Sequence, residues 1–368
     1  MKSNSQIFTK PVYPVLIAII GYICLALFYA ILLKYNFFRS DVLGYWQDSL
    51  NWQTPYHPFH VPGYPLVIAL LRGVTFGIFP PVLSMMAINL LALTLSVYLV
   101  YKILSDSGIM NEIAFSGAVL FTLWPLVGLN YTVSPLADVP AMCLFLAGIY
   151  YLIHSKRMTA AIFLGIAVIF HKAIWPFVGL VVLAEMVKNR EFISKRNVPF
   201  WALLLLPVCL LWLFGAMYHQ SISWQFSSNL SAEMAYPGKF PLFEGVIGTL
   251  FSGGIKGTIK GIILAGFALL TVLSLGLSIK NAGPSKYLAI AISSAVFLLF
   301  VFLNQTVIWG AARFSRLLVL PLALGWSSFS TGKNSQKIIS CINSPVFVLL
   351  LFASQVVFAW YQARVFFA

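Results

Sequence analysis

An all-α bundle of transmembrane helices is the fold class this chain predicts, and three observations predict it. Of its 368 residues, 60% are hydrophobic and 9% charged, against roughly 25% charged in soluble domains. Mean hydropathy is +0.92. The apolar residues gather in runs close to the ~20 residues that cross a bilayer. Between them lie short basic clusters such as HSKR and KNREFISKR, which is how cytoplasmic loops read. A water-soluble enzyme is excluded. The net charge of +14 does not point to nucleic acid, because no basic stripe interleaved with aromatics sits on a soluble face.

Taken in order, the runs predict helices near 12–34, 82–101, 113–129, 137–153, 158–170, 173–187, 198–218, 258–279, 287–303, 312–330 and 345–362, about eleven in one membrane domain over 1–368. The first run is long for a signal-peptide core and has no small-residue cleavage site, so it reads as an uncleaved helix. Residues 63–79 carry Arg72 near the centre and prolines at both ends. That favours an interfacial or partly inserted helix, with a twelfth span as the other reading. Two outer loops, about 35–60 and 219–257, predict short interfacial helices, since loops this long in compact folds are usually functional. Cys24, Cys143, Cys209 and Cys341 form no CxxC pair and read as buried small hydrophobes. No internal repeat of fixed period occurs.

Orientation follows from Lys and Arg. With the N-terminus cytoplasmic, 13 basic residues fall inside and 10 on the other side or at helix ends facing it. The inside clusters decide the direction. The ten outer cations need a cause, and an anionic ligand on that face supplies one.

The first outer loop, RSDVLGYWQDSLNWQTPYHPFHVPGYP, breaks the apolar chain. It holds two of nine acidic residues, two of five histidines, two tryptophans and four prolines. Asp41 and Asp48 lie two helical turns apart with Tyr45 between them, so on a helix the three share one face. A carboxylate beside a hydroxyl acceptor acts as a general base; the bland alternative for Asp41 is the start of a short helix. His57 and His60 lie three apart in a proline-rich stretch, with Pro58 between them and Pro62 after them. They read either as interfacial residues in a rigid turn or as ligands for a phosphate or sugar hydroxyl. Asp138, in SPLADVPAM, sits at an outer helix start, where it suits the helix dipole. A carboxylate in an apolar segment also costs a few kcal/mol to insert and needs a partner or a task. His171-Lys172 separates two short apolar runs at an outer turn. Arg313 and Arg316 share a helix face, and read either as snorkelling to headgroups or as a forked clamp for phosphate.

Together these pieces resemble the GT-C superfamily of integral membrane glycosyltransferases, which includes the protein O-mannosyltransferases and the lipid A aminoarabinose transferases. The likeness rests on RSDVLGYW, HVPGYPLVIALL, SPLADVPAM, LGIAVIFHKAIWPF and RFSRLLVLP, in order across residues 10–325. It implies a sugar donor on a polyprenyl phosphate and Asp41 as the base that activates an acceptor hydroxyl. It also implies inversion at the anomeric carbon, with Lys172, Arg313 and Arg316 stabilising the departing lipid phosphate. His57 and His60 fall where relatives carry polar residues lining the site, and Tyr45, Asp48 and Asp138 join the substrate-binding set. No cofactor and no metal is expected. The acceptor is a lipid, glycan or protein, and the site lies outside the plasma or inner membrane. Many relatives carry paired acids in the first loop and a soluble C-terminal domain. Here Val42 follows Asp41, and Asp48 is the nearest second acid. The rival readings are a transporter or flippase for a lipid-linked or anionic solute, which often shows inverted repeats, and a non-catalytic membrane subunit.

Overall fold

The structure, a computed structural model, describes residues 10–37, 40–51, 61–189, 192, 194–219, 244–251, 254–280, 283, 285–303, 309–327, 341 and 344–365. Among them every regular element is a helix. Four are long and apolar enough to cross a membrane: Val12–Leu32, Pro81–Asp106, Lys195–Leu213 and Gly257–Lys280. We label the helices α1 (Val12–Leu27, continued by a π segment Phe28–Leu32), α2 (Ser40–Leu50), α3 (Gly63–Val74), α4 (Pro81–Asp106), α5 (Asn111–Thr122), α6 (Asn130–Val133), α7 (Asp138–Ile153), α8 (Arg157–Phe170) and α9 (Trp175–Lys188). The remainder are α10 (Val198–His219), α11 (Glu244–Phe251), α12 (Gly254–Lys280), α13 (Lys286–Phe302), α14 (Trp309–Phe314), α15 (Val319–Ser327) and α16 (Pro345–Val365).

The helices are turned outward in an aliphatic sense. On α1 and its π segment the exposed aliphatic positions include Val12, Leu16, Ile20, Ile23, Leu27 and Ile31, whereas Ala18, Tyr22, Leu25 and Tyr29 are buried. The spacing of three and four keeps each set on one face. A continuous exposed aliphatic stripe is costly in water and stable against lipid. The interior combines small residues at helix contacts, such as Ala18, Ala114 and Ala118, with large buried side chains such as Phe121, Phe145, Phe177 and Phe300. Cys24, Cys209 and Cys341 are exposed and Cys143 half-buried, which overturns the expectation of buried thiols. Cys24 and Cys209 belong to the outward faces of α1 and α10, whereas Cys143 packs against the core.

Two expected spans are changed, and 63–79 takes the shorter of its two readings. The run 113–129 is helical only to Thr122, and Pro125 follows in a turn. The run 312–330 is broken into α14, a 3-10 turn Ser315–Leu318, and α15. The segment 63–79 is a helix of 12 residues, about 18 Å long at 1.5 Å per residue and too short for a ~30 Å hydrocarbon core. Arg72 at its end lies over the Trp46 ring at 5.8 Å, tying α3 to α2. Within 219–257, Glu244–Phe251 forms a short helix.

α7 is the central element, packed on α4 and α8 with Asp138, Val139, Ala141, Met142, Phe145, Leu146 and Ile149 buried. Its 16 residues separate two bundle ends by about 24 Å. At one end His154 Nε2 stands 3.2 Å from Asp106 Oδ2 at the end of α4, and Asp106 also takes Lys102 at 2.9 Å. At the other end lies Asp138. A buried network closes the fold across the sequence. Tyr29 donates to Asn130, Asn130 donates to Gln355 on α16, Gln355 donates to the Trp124 carbonyl, and Trp124 donates to Ser315. Every donor in that chain finds an acceptor, as buried polar groups require.

Candidate functional site

Asp138 begins α7 and is fully buried. The loop before it is held by Asn89 of α4, which donates to the carbonyls of Thr132 and Leu136 at 3.3 and 3.1 Å. Asn89 in turn accepts from Tyr64 at 3.0 Å, and the same hydroxyl lies 3.2 Å from the Pro135 carbonyl. The proline-rich entry to α3 is therefore a bracket for the acidic turn. Gly63 makes the bracket possible: a Cβ there would lie 2.6 Å from the Ile169 carbonyl oxygen and from Phe170. That contact seats α3 on the last turn of α8, next to His171.

The two carboxylate oxygens of Asp138 face different partners. Arg313 Nη1, 175 residues away in sequence, donates to Oδ2 at 2.6 Å. His171 Nε2 stands 3.1 Å from Oδ1; the approach is electrostatic rather than an aligned hydrogen bond. His171 Nδ1 accepts the Ala173 N–H at 3.1 Å, so the neutral ring carries its proton on Nε2, facing the carboxylate. Burial pushes the His171 imidazole below its ordinary range; Asp138 and Asp41 oppose this while Arg313 and Lys172 reinforce it. Arg313 also lies over the Tyr131 ring at 5.2 Å, and its buried Nε has no hydrogen-bond partner among the described residues.

Asp41 stands in the first turn of α2 and is exposed, while Tyr45 and Asp48 on the same helix are buried. The i, i+4, i+7 spacing thus runs from solvent into the bundle. Asp41 interacts electrostatically with Arg313, His171 and Tyr45. Tyr45 meets the Tyr64 ring edge-on at 5.1 Å and feels both Asp48 and Asp138. Lys172 opens the 3-10 turn that packs beside α7.

Of the residues singled out in the sequence, the structure gathers Asp41, Tyr45, Asp138, Lys172 and Arg313 at one end of the bundle, with Asp48 deeper on α2. His57 and His60 lie outside the described residues. Arg316 does not share a ligand-facing surface with Arg313, because the helix breaks between them. It is 1% exposed, with Nε on Met142 Sδ at 3.3 Å and Nη1 on Thr132 Oγ1 at 3.1 Å, over the Phe121 ring at 5.1 Å. It braces α7 against the 121–132 segment. His171 was not singled out for a role in the sequence; its signal was a lone imidazole at the junction of two short apolar runs.

The arrangement puts an exposed carboxylate beside a pair made of a half-buried arginine and a buried aspartate at the rim of an apolar bundle. Among the described residues no group of three His, Cys, Asp or Glu side chains is placed to hold a metal ion. Chemically the cluster can accept a proton at Asp41 and present cationic donors to an anion. No protein-family model matches this chain, and no curated protein matches it.

Proposed function

We propose that this protein is an inverting membrane glycosyltransferase of the GT-C kind, using a sugar donor linked to a polyprenyl phosphate. The observation supporting this reading is the convergence of Asp41 with Arg313, His171 and Lys172, drawn from three distant segments. The acceptor hydroxyl oxygen attacks the anomeric carbon of the donor. Its proton passes to the Asp41 carboxylate as the new bond forms. The bond from that carbon to the phosphate oxygen breaks, and the lipid phosphate leaves with the electron pair. Arg313 and Lys172 stabilise the negative charge on the phosphate, so no acid is needed for the leaving group. Arg316 is kept in a bracing role. The reading places the N-terminus in the cytoplasm and the site on the extracytoplasmic face, with a lipid, glycan or protein acceptor.

Turnover of a polyprenyl-phosphate sugar by the full chain in lipid vesicles tests this. Asp41→Asn should lower turnover by about 10²–10⁴-fold, the range for loss of a general base, while donor binding stays unchanged. Equal turnover by wild type and Asp41→Asn would sink the role of Asp41. Movement of intact donor across the vesicle without cleavage would favour the flippase.

A further inference from the structure

His171 meets a partner at each ring nitrogen, by a hydrogen bond at Nδ1 and by an electrostatic approach at Nε2, and the two contacts do different work. Through Nδ1 it caps its own turn by accepting the Ala173 N–H. Through Nε2 it reaches Asp138 Oδ1, on the oxygen opposite to the one Arg313 uses. Asp138 is buried and held between these two groups, so its carboxylate angle sets where the Arg313 guanidinium stands. Arg313 spends Nη1 on that pair, rests its face on Tyr131, and keeps a buried Nε–H with no acceptor among the described residues. A guanidinium so fixed offers its remaining donors along a defined direction, as bidentate recognition of an oxyanion requires.

We infer that His171 is a positioning residue: its neutral imidazole orients Asp138, and through it the Arg313 guanidinium, toward the phosphate of a lipid-linked donor. This rests on the transferase reading above. A protonated ring would set an Nδ1–H against the Ala173 N–H, two donors facing each other, and would compete with Arg313 for Asp138. The charged and titratable groups around the ring are Asp138 on α7, Arg313 on α14, Asp41 on α2 and the neighbouring Lys172; Phe314 covers it at 5.2 Å.

Asparagine and glutamine separate the two ties. An asparagine oxygen can accept the Ala173 N–H as Nδ1 does, but the side chain stops short of Asp138. A glutamine amide extends toward Asp138 and gives up the turn cap. The test is binding of farnesyl phosphate to the full chain in nanodiscs, with farnesol and inorganic phosphate as controls that separate tail from headgroup. His171→Asn should weaken farnesyl phosphate binding about tenfold, the lower end of what losing an orienting partner costs at metal sites, and His171→Gln should stay near wild type. Wild-type binding should also fall below the ordinary histidine value of about 6.5 relative to His171→Gln, whose side chain does not titrate. If His171→Asn binds like wild type, the positioning role is overturned and the transferase reading survives. If wild type binds farnesyl phosphate no better than farnesol, the transferase reading falls and carries this inference with it.

Discussion

Asp138 shows how one buried carboxylate organises its surroundings. Removing it would leave Arg313 without the anion that it meets at 2.6 Å, in a place where little water can replace that partner. Breaking a buried pair from one side typically costs about 3–5 kcal/mol, mostly the charge left behind. Asp138→Ala is therefore expected to destabilise the protein by that order, and Arg313→Ala comparably, while the double variant loses less than the sum. Thermal unfolding of the three variants in one detergent checks this; strict additivity would mean that the two groups do not form a coupled pair. Arg316 is a different kind of residue. Its partners are a thioether, a hydroxyl, the Gly128 carbonyl and an aromatic ring, so its charge is spent on holding segments together. From spacing alone the two arginines looked equivalent, because three residues on a helix share a face. The 3-10 turn beginning at Ser315 removes that equivalence.

At the level of elements, α3 is the piece that makes the site. It is too short to span, yet it carries Tyr64, which reaches Asn89 and the Pro135 carbonyl, and Gly63, which lies against the end of α8. A methyl group at Gly63 meets a backbone carbonyl at 2.6 Å, and a backbone atom cannot swing aside as a side-chain tip can. Gly63→Ala is expected to cost about 1–3 kcal/mol, the usual penalty of overpacking, and, under the proposed glycosyltransferase function, to reduce turnover by shifting the His171 turn. Melting temperature and activity measured together check it; an unchanged melting temperature would show that α3 does not seat on α8 as described. By contrast, Gly148 on α7 lies where a Cβ would meet Leu164 at 2.5 Å, a side chain with rotamers to use. The broken run at 309–327 follows the same logic as α3, since a polar end of the bundle needs short, turned pieces to aim side chains inward.

For the whole molecule, the spacing of the two ends matters most. Lys102, Asp106 and His154 meet at one end, and Asp138, His171 and Arg313 at the other, with the length of α7 between. In the proposed orientation Asn51, near the carboxylate end, faces outward and Lys156 faces the cytoplasm; both are exposed. A membrane-impermeant maleimide applied to intact cells should label Asn51→Cys and leave Lys156→Cys unlabelled until the membrane is opened. The reverse pattern would put Asp41 in the cytosol and end the extracytoplasmic assignment. Outward aliphatic faces such as that of α1 are costly in water, which is why lipid or detergent accompanies the measurements above.

The sequence by itself determined where most helices run, because hydropathy and helical spacing are local properties that a window of residues expresses in full. It also marked Asp41, Asp138, Lys172 and Arg313 as polar groups needing a reason, since each interrupts an apolar context. Only the tertiary structure decided which of them meet. Arg313 reaches Asp138 across 175 residues, His171 enters because a turn points its ring at the same carboxylate, Arg316 leaves because its helix breaks, and three cysteines face outward. Contacts of that range depend on how whole helices pack, and packing is set by the summed fit of many surfaces rather than by any one stretch of chain.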